Sequence, residues 1–135
     1  VSTSPLPSDA IAMLRRPNPA VMATLRSDGT PVSAATWYLW QEDGRVLLNL
    51  DATRVRLRHL RRDPRVTLTA LDADDWYTHV TLIGRVVELR EDTDRADIDA
   101  LSRHYTGHPY PDRVNPRWSA VVEVDRWHGW GAQKD

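Results

Sequence analysis

The Asp-Gly pairs at 28–29 and 43–44 constrain this chain more than any other feature. Each lies in a polar turn, "SDGT" or "EDGR", between apolar runs. Asp-Gly accepts the positive φ that a tight hairpin needs. "AVMATLRSDGTPVSAATWYLW" therefore reads as two strands around the first turn, and "QEDGRVLLNLD" as the return into a third. An antiparallel meander is expected to open the fold.

The rest of the chain continues the pattern. Ser8 is placed to cap a short helix reaching Arg15, with Ile11 and Leu14 on one side, and "RPNP" stops it. "RVTLTALD" (65–72) alternates Val66, Leu68 and Ala70 inward, as a half-buried strand does. "YTHVTLIGRVVELR" is a long strand in which Gly84 marks a bulge or a close backbone approach. "DTDRADIDALSRHY" (92–105) carries Ile98 and Leu101 at helical spacing and leads into the loop "TGHPYPDRVNPR". "WSAVVEVD" is the last strand, followed by "RWHGWG". The expectation is one mainly β domain over 1–135, six antiparallel strands with short α-helices, and residues 1–7 as a flexible tail. Closure into an antiparallel barrel removes exposed edges.

Several function classes lose their anchors. No apolar run approaches the ~20 residues of a membrane span, so no membrane partner is expected. "VSTSPLPSDA" has neither the basic start nor the apolar stretch of a signal peptide, so a cytoplasmic location is expected. With no cysteine, disulfides, thiolate metal sites and thiol catalysis are ruled out. There is no G-x-S-x-G, no H-E-x-x-H and no Gly-rich phosphate loop. His104 and His108 have a ligand-like spacing, but Gly107 and Pro109 break the helix that would align them, and "DADD" reads as a solvated acidic loop. No metal site is expected, and no residue is assigned as catalytic.

The chain is nearly neutral, with a net charge of −1, yet six arginines crowd into "DATRVRLRHLRRDPR" (51–65). Seventeen arginines against one lysine, with no Phe, reflect the codons of a GC-rich genome, but that bias does not explain the clustering. From Arg54 to Arg62 a helical wheel puts Leu57 and Leu60 on one side and Arg54, Arg58, Arg61 and Arg62 on another. Thr53 or Asp51 stands where a cap belongs, and Asp63-Pro64 ends the helix. Three readings compete: a solvated helix face, a nucleic-acid backbone contact and a phosphate grip. A near-neutral chain has no wide basic footprint, which argues against nucleic acid. Arginines at a helix N-terminus join bidentate charge to free N–H groups and the positive dipole end, which suits a phosphate.

"VMATLRSDGTPVSAATWYLW", "GRVLLNLDATRVRLRHLRRDPRVTL" and "GRVVEL", in this order, resemble the pyridoxamine-phosphate-oxidase-like split β-barrel superfamily. Within it the resemblance is to the flavin/deazaflavin oxidoreductase B branch. The most specific stretch is R-x-[KR]-x-x-[NH]-L-x-x-D-P, seen as Arg54, Arg56, His59, Leu60, Asp63 and Pro64, with Arg56 and His59 standing where the family often has Lys and Asn. The resemblance implies an FMN-binding split barrel that pairs as a homodimer, with the cofactor in a groove at the interface. Arg54 and Arg56, flanking Val55, would anchor its phosphate. Thr36 and Trp37 would line its ring, and Asn49 and Leu50 would pass alongside. Tyr77 and His79 would complete the wall, and Trp130, in "WHGW", would reach in from the partner chain. The implied cofactor is coenzyme F420, common in high-GC actinobacteria, with FMN as the alternative. The implied activity is hydride transfer from reduced deazaflavin to a small electron-poor substrate: a quinone, tetrapyrrole, enone or nitroaromatic. A non-catalytic cofactor- or tetrapyrrole-binding protein on the same barrel is the third reading.

Overall fold

The computed structural model describes residues 1–135. Three helices, α1 (Ser8–Leu14), α2 (Val55–Arg62) and α3 (Ala96–Thr106), punctuate seven strands. The strands are β1 (Ala20–Leu25), β2 (Pro31–Thr36), β3 (Leu39–Trp40), β4 (Val46–Asp51), β5 (Arg65–Leu71), β6 (His79–Glu91) and β7 (Arg117–Trp130). All pairings are antiparallel, in the order β2-β1-β5-β6-β7-β4-β3. β2 and β3 hold the two ends and do not pair, so the sheet curls around its core without closing. That is a split barrel.

The core explains the curl. Met22, Leu48, Leu50, Leu68, Val80, Leu82 and Val122, from five different strands, meet in one cluster. α1 adds Met13 and Leu14 to it, and α2 adds Leu57 and Leu60. Burying each leucine of α2 contributes about 1.5–3 kcal/mol, which holds a helix far too short to persist alone. β5 keeps the expected alternation, with Val66, Leu68 and Ala70 buried. Both Asp-Gly turns form as read: Gly29 and Gly44 have φ of +87° and +83°. Asp28 and Asp43 tighten them by accepting the N–H of Thr30 and Arg45, each at 3.0 Å.

Four expectations need correction. The run through "TWYLW" is not one strand, and the opening meander is broken there. β2 pairs only with β1 and β3 only with β4, so the chain crosses between opposite ends of the sheet at Trp37 and Tyr38. Tyr38 turns fully inward, where its hydroxyl accepts a bond from Asn18 Nδ2 at 3.1 Å, and the division gives seven strands in place of six. The first residues are pinned where a free tail was expected. Ser2 and Trp127 exchange backbone bonds of 2.8 and 3.0 Å, and Trp127 Nε1 donates to the Ser4 carbonyl at 2.8 Å. β7 continues through "RWHGW" to Trp130. Finally, the expected side-chain caps are absent: Pro7 holds the N-cap position of α1, so Ser8 is its first helical residue, and neither Asp51 nor Thr53 caps α2. Asp51 Oδ1 accepts from Thr53 N and Oγ1, at 2.8 and 2.7 Å, in the turn before the helix. No helix is long and apolar enough to cross a membrane.

Candidate functional site

The uncapped start of α2 opens onto a cavity of about 630 Å³. Arg54 occupies the N-cap position without a side-chain cap bond, and no acceptor in the chain takes the N–H of Val55 or Arg56. Those two groups and the positive end of the helix dipole are thereby left to a ligand. Arg54 and Arg56 both wall the cavity. Arg56 is half-buried, and its pKa is held below the usual arginine value first by desolvation and then by the charges of Arg54 and Arg117. None of the chain's ion pairs includes Arg54, Arg56 or Arg117.

The opposite wall is aromatic. Thr36 and Trp37 come from the end of β2, and Tyr105 from the last turn of α3. Trp37 and Tyr105 stack with centroids 5.3 Å apart and an interplanar angle of 11°, while Tyr110 meets Trp37 edge-on at 6.1 Å. The stack is fixed from behind, because Tyr105 Oη donates to the Asn18 carbonyl at 2.6 Å. Burial pushes the Tyr105 phenol up to about 12, so it stays a neutral donor. Thr36 Oγ1 donates to the carbonyl of Trp37 at 3.0 Å and helps turn the chain out of the strand.

Asn49 joins the two walls. Its Nδ2 donates to Asp92 Oδ2 and Ser119 Oγ, at 3.1 and 3.0 Å, and its Oδ1 accepts from Arg117 Nε at 2.7 Å. Asp92 in turn accepts the N–H groups of Asp97 and Ile98 at the start of α3, at 3.2 and 2.9 Å. The helix carrying Tyr105 and the arginine wall are thus tied through one buried amide. Asp51 is the cavity's one acidic residue. Hydrogen bonds from Thr53 hold its pKa below the usual carboxylate range, with Arg117 and Arg54 contributing less.

Of the residues expected at the site, Arg54, Arg56, Thr36, Trp37 and Asn49 come together on this cavity. Leu50 does not: its side chain lies in the core at 1% exposure. Val55 is 44% exposed and does not line the cavity. Tyr77, His79 and Trp130 gather elsewhere, at the β6–β7 end where His79 pairs with Trp130, with Tyr77 exposed beside them. Sequence reasoning missed Arg117, Tyr105 and Tyr110. Arg117 gave no local signal, since it closes the loop "TGHPYPDRVNPR"; for the tyrosines the signal was one aromatic just before that Gly- and Pro-rich loop and one within it. His59, where the resemblance departs from the common residue, is buried and bonds Thr24 Oγ1 through Nδ1 at 2.8 Å, a packing role on the inner side of α2.

The family model for pyridoxamine 5′-phosphate oxidase matches residues 7–131. No curated protein matches the chain. Among solved structures, an F420 reductase superposes with a TM-score of 0.81 at 26% identity, covering 90% of this chain and 98% of its own. A conserved hypothetical protein from Mycobacterium tuberculosis gives 0.70 at 25% identity, over 96% and 88% of the two chains. A putative pyridoxamine 5′-phosphate oxidase from Listeria innocua shares the fold, with a TM-score of 0.67 at 15% identity over 90% and 94%.

Proposed function

The chain belongs to the pyridoxamine 5′-phosphate oxidase family, and on that premise we propose that it is an F420-dependent oxidoreductase working as a homodimer. The family and its barrel support an oxidoreductase of the flavin type, and likeness to an F420 reductase favours the deazaflavin. The observation that carries the reading is electrostatic. Arg54 and Arg56 line one cavity with no carboxylate paired to either, beside two unbonded N–H groups at the start of α2, and the same cavity carries a stacked aromatic wall. A cavity of that size suits a cofactor ring system.

Arg54, Arg56 and the N–H groups of Val55 and Arg56 would hold the phosphate. Thr36 and Trp37 orient the ring, Trp37 being braced by Tyr105 on one face. Asn49 keeps the walls in register, and Leu50 supports them from the core. When bound and reduced, the deazaflavin would supply a hydride to a small electron-poor molecule: a quinone, tetrapyrrole, enone or nitroaromatic. The protein's share is binding, orientation and exclusion of water. Tyr77, His79 and Trp130 serve the partner's site across the dimer. Trp76 and Tyr77, 71% and 55% exposed, are the aromatic surface that such a partner covers.

Two measurements test this. Light scattering at micromolar concentration is expected to give a dimer, with an interface in the obligate range of ~2,000 Å² or more; a monodisperse monomer that binds cofactor would remove the shared site. Titration with F420 and with FMN is expected to show tighter binding of F420, with an advantage that shrinks as salt is added, because exposed Arg58 and Arg61 attract its longer anionic tail at range. Equal affinities, or FMN retained stoichiometrically through purification, would turn the reading to an FMN enzyme. Binding without turnover of any electron-poor substrate would leave a carrier protein.

A further inference from the structure

We propose that Arg117 is a third anion anchor of this cavity, aimed by Asn49 and kept unneutralised for a phosphate group of the ligand; this deepens the phosphate reading above and rests on it. Arg117 opens β7 and is only 8% exposed, yet it has no ion-pair partner. A buried cation that touches no carboxylate is costly and persists where something else over-determines it. Here Nε is held by Asn49 Oδ1 at 2.7 Å, and the guanidinium lies 4.7 Å from the Tyr110 ring centroid. Nη1 and Nη2 find no acceptor in the chain and are not sealed from solvent, on a residue that walls the cavity.

The carboxylates near Arg117 accept hydrogen bonds from other groups: Asp112, held below the usual carboxylate range chiefly by backbone N–H groups and least by Arg117, accepts those of Val114 and Asn115 at 2.9 and 3.1 Å. Asp51, its direct partner in the β4–β7 register, accepts from Thr53. Asp99 takes Arg113 at 2.7 Å, and Asp92 caps α3. The side chain that does hold Arg117 is an amide, whose Nδ2 bonds to Asp92 and Ser119 force its oxygen towards the guanidinium. An amide at position 49 orients the cation without cancelling its charge. Three guanidinium groups on one cavity, those of Arg117, Arg54 and Arg56, then make a site for an oxyanion with several acceptor oxygens.

The test uses inorganic pyrophosphate as probe. Thermal midpoints and calorimetric affinities are measured for the parent, Arg54→Ala, Arg117→Met and Arg117→Gln, with sodium chloride at matched ionic strength as reference. Pyrophosphate is expected to raise the parent's midpoint, and both Arg117 variants are expected to lose that increment and at least tenfold in affinity. A purely structural arginine would lower the midpoint without ligand and leave the increment intact. Affinity within twofold of the parent in Arg117→Met, with a loss in Arg54→Ala, overturns the role of Arg117 alone. If Arg117→Met does not fold, Arg117→Gln, whose amide still donates to Asn49, decides on the same criterion. A parent that binds neither pyrophosphate nor F420 nor FMN overturns the phosphate reading itself.

Discussion

Arg54→Ala and Arg56→Ala are expected to bind cofactor roughly ten- to a hundredfold more weakly than the parent, while Arg62→Ala binds as the parent does. The size follows from the loss of charge-assisted hydrogen bonds, ~1.5–3 kcal/mol each, at about 1.4 kcal/mol per factor of ten. The contrast follows from position. Arg54 and Arg56 wall the cavity beside the free N–H groups of α2, whereas Arg62 is exposed at the far end of the helix, donating to the Leu25 carbonyl at 3.2 Å. Arg61 is engaged over the ring of Trp118 at 4.6 Å, also away from the cavity walls. Exposed arginines of this kind are typically worth ~0–1 kcal/mol. Neither anchor has an ion pair to lose, and truncating Arg56 removes a cation repelled by Arg54 and Arg117, so circular dichroism and melting should show the fold intact. Three indistinguishable cofactor affinities would return the cluster to a solvated helix face.

What could be read in the sequence was what neighbouring residues decide. The Asp-Gly turns, the alternation in β5 and the Leu57–Leu60 side of α2 depend on φ preference and on spacing within one element. They are therefore visible in a short window. "VSAATWYLW" contains no breaker, and what divides it lies elsewhere in the chain: Asn18 donating to the Tyr38 hydroxyl, and Tyr105 stacking on Trp37. The start of α2 misled for another reason. Asp51 and Thr53 are good capping types, and a rule of local consistency assigns one of them to the cap. The chain uses both for the turn before the helix, leaving the first N–H groups bare at the point where the arginines converge. Arg117 was invisible because its setting is made by the β4–β7 register and by Asn49, 68 positions away. The site residues that were legible share a continuous stretch from β4 into α2 or end a predicted strand. Those that were not are joined only by tertiary contacts.

Gly84→Ala is expected to cost about 2–3 kcal/mol of stability and to lower the thermal midpoint by roughly 6–10 °C. Gly84 lies on β6 opposite Val124, where the β6–β7 register shifts after Ile83. A methyl group there would collide with the backbone carbonyl of Glu123 and sit 3.2 Å from the Cα of Val124. Both are main-chain atoms of β7, so no side-chain rotation relieves the contact. Replacing a glycine limits the unfolded chain and returns about 0.4–1 kcal/mol, too little to offset overpacking against backbone. Gly29→Ala is the internal reference. Open space surrounds it, and its only penalty is the left-handed φ of +87°, about 1–2 kcal/mol. The effect on function has the same origin. The shift at Gly84 lets β7 bend with the sheet, and β7 sets out from Arg117 on the cavity wall. If the alanine variant relaxes by moving β7, pyrophosphate affinity should fall along with the melting temperature. A Gly84→Ala protein that melts no lower than Gly29→Ala would show that the bulge yields freely, and the close approach of β6 to β7 would then be incidental to both stability and site.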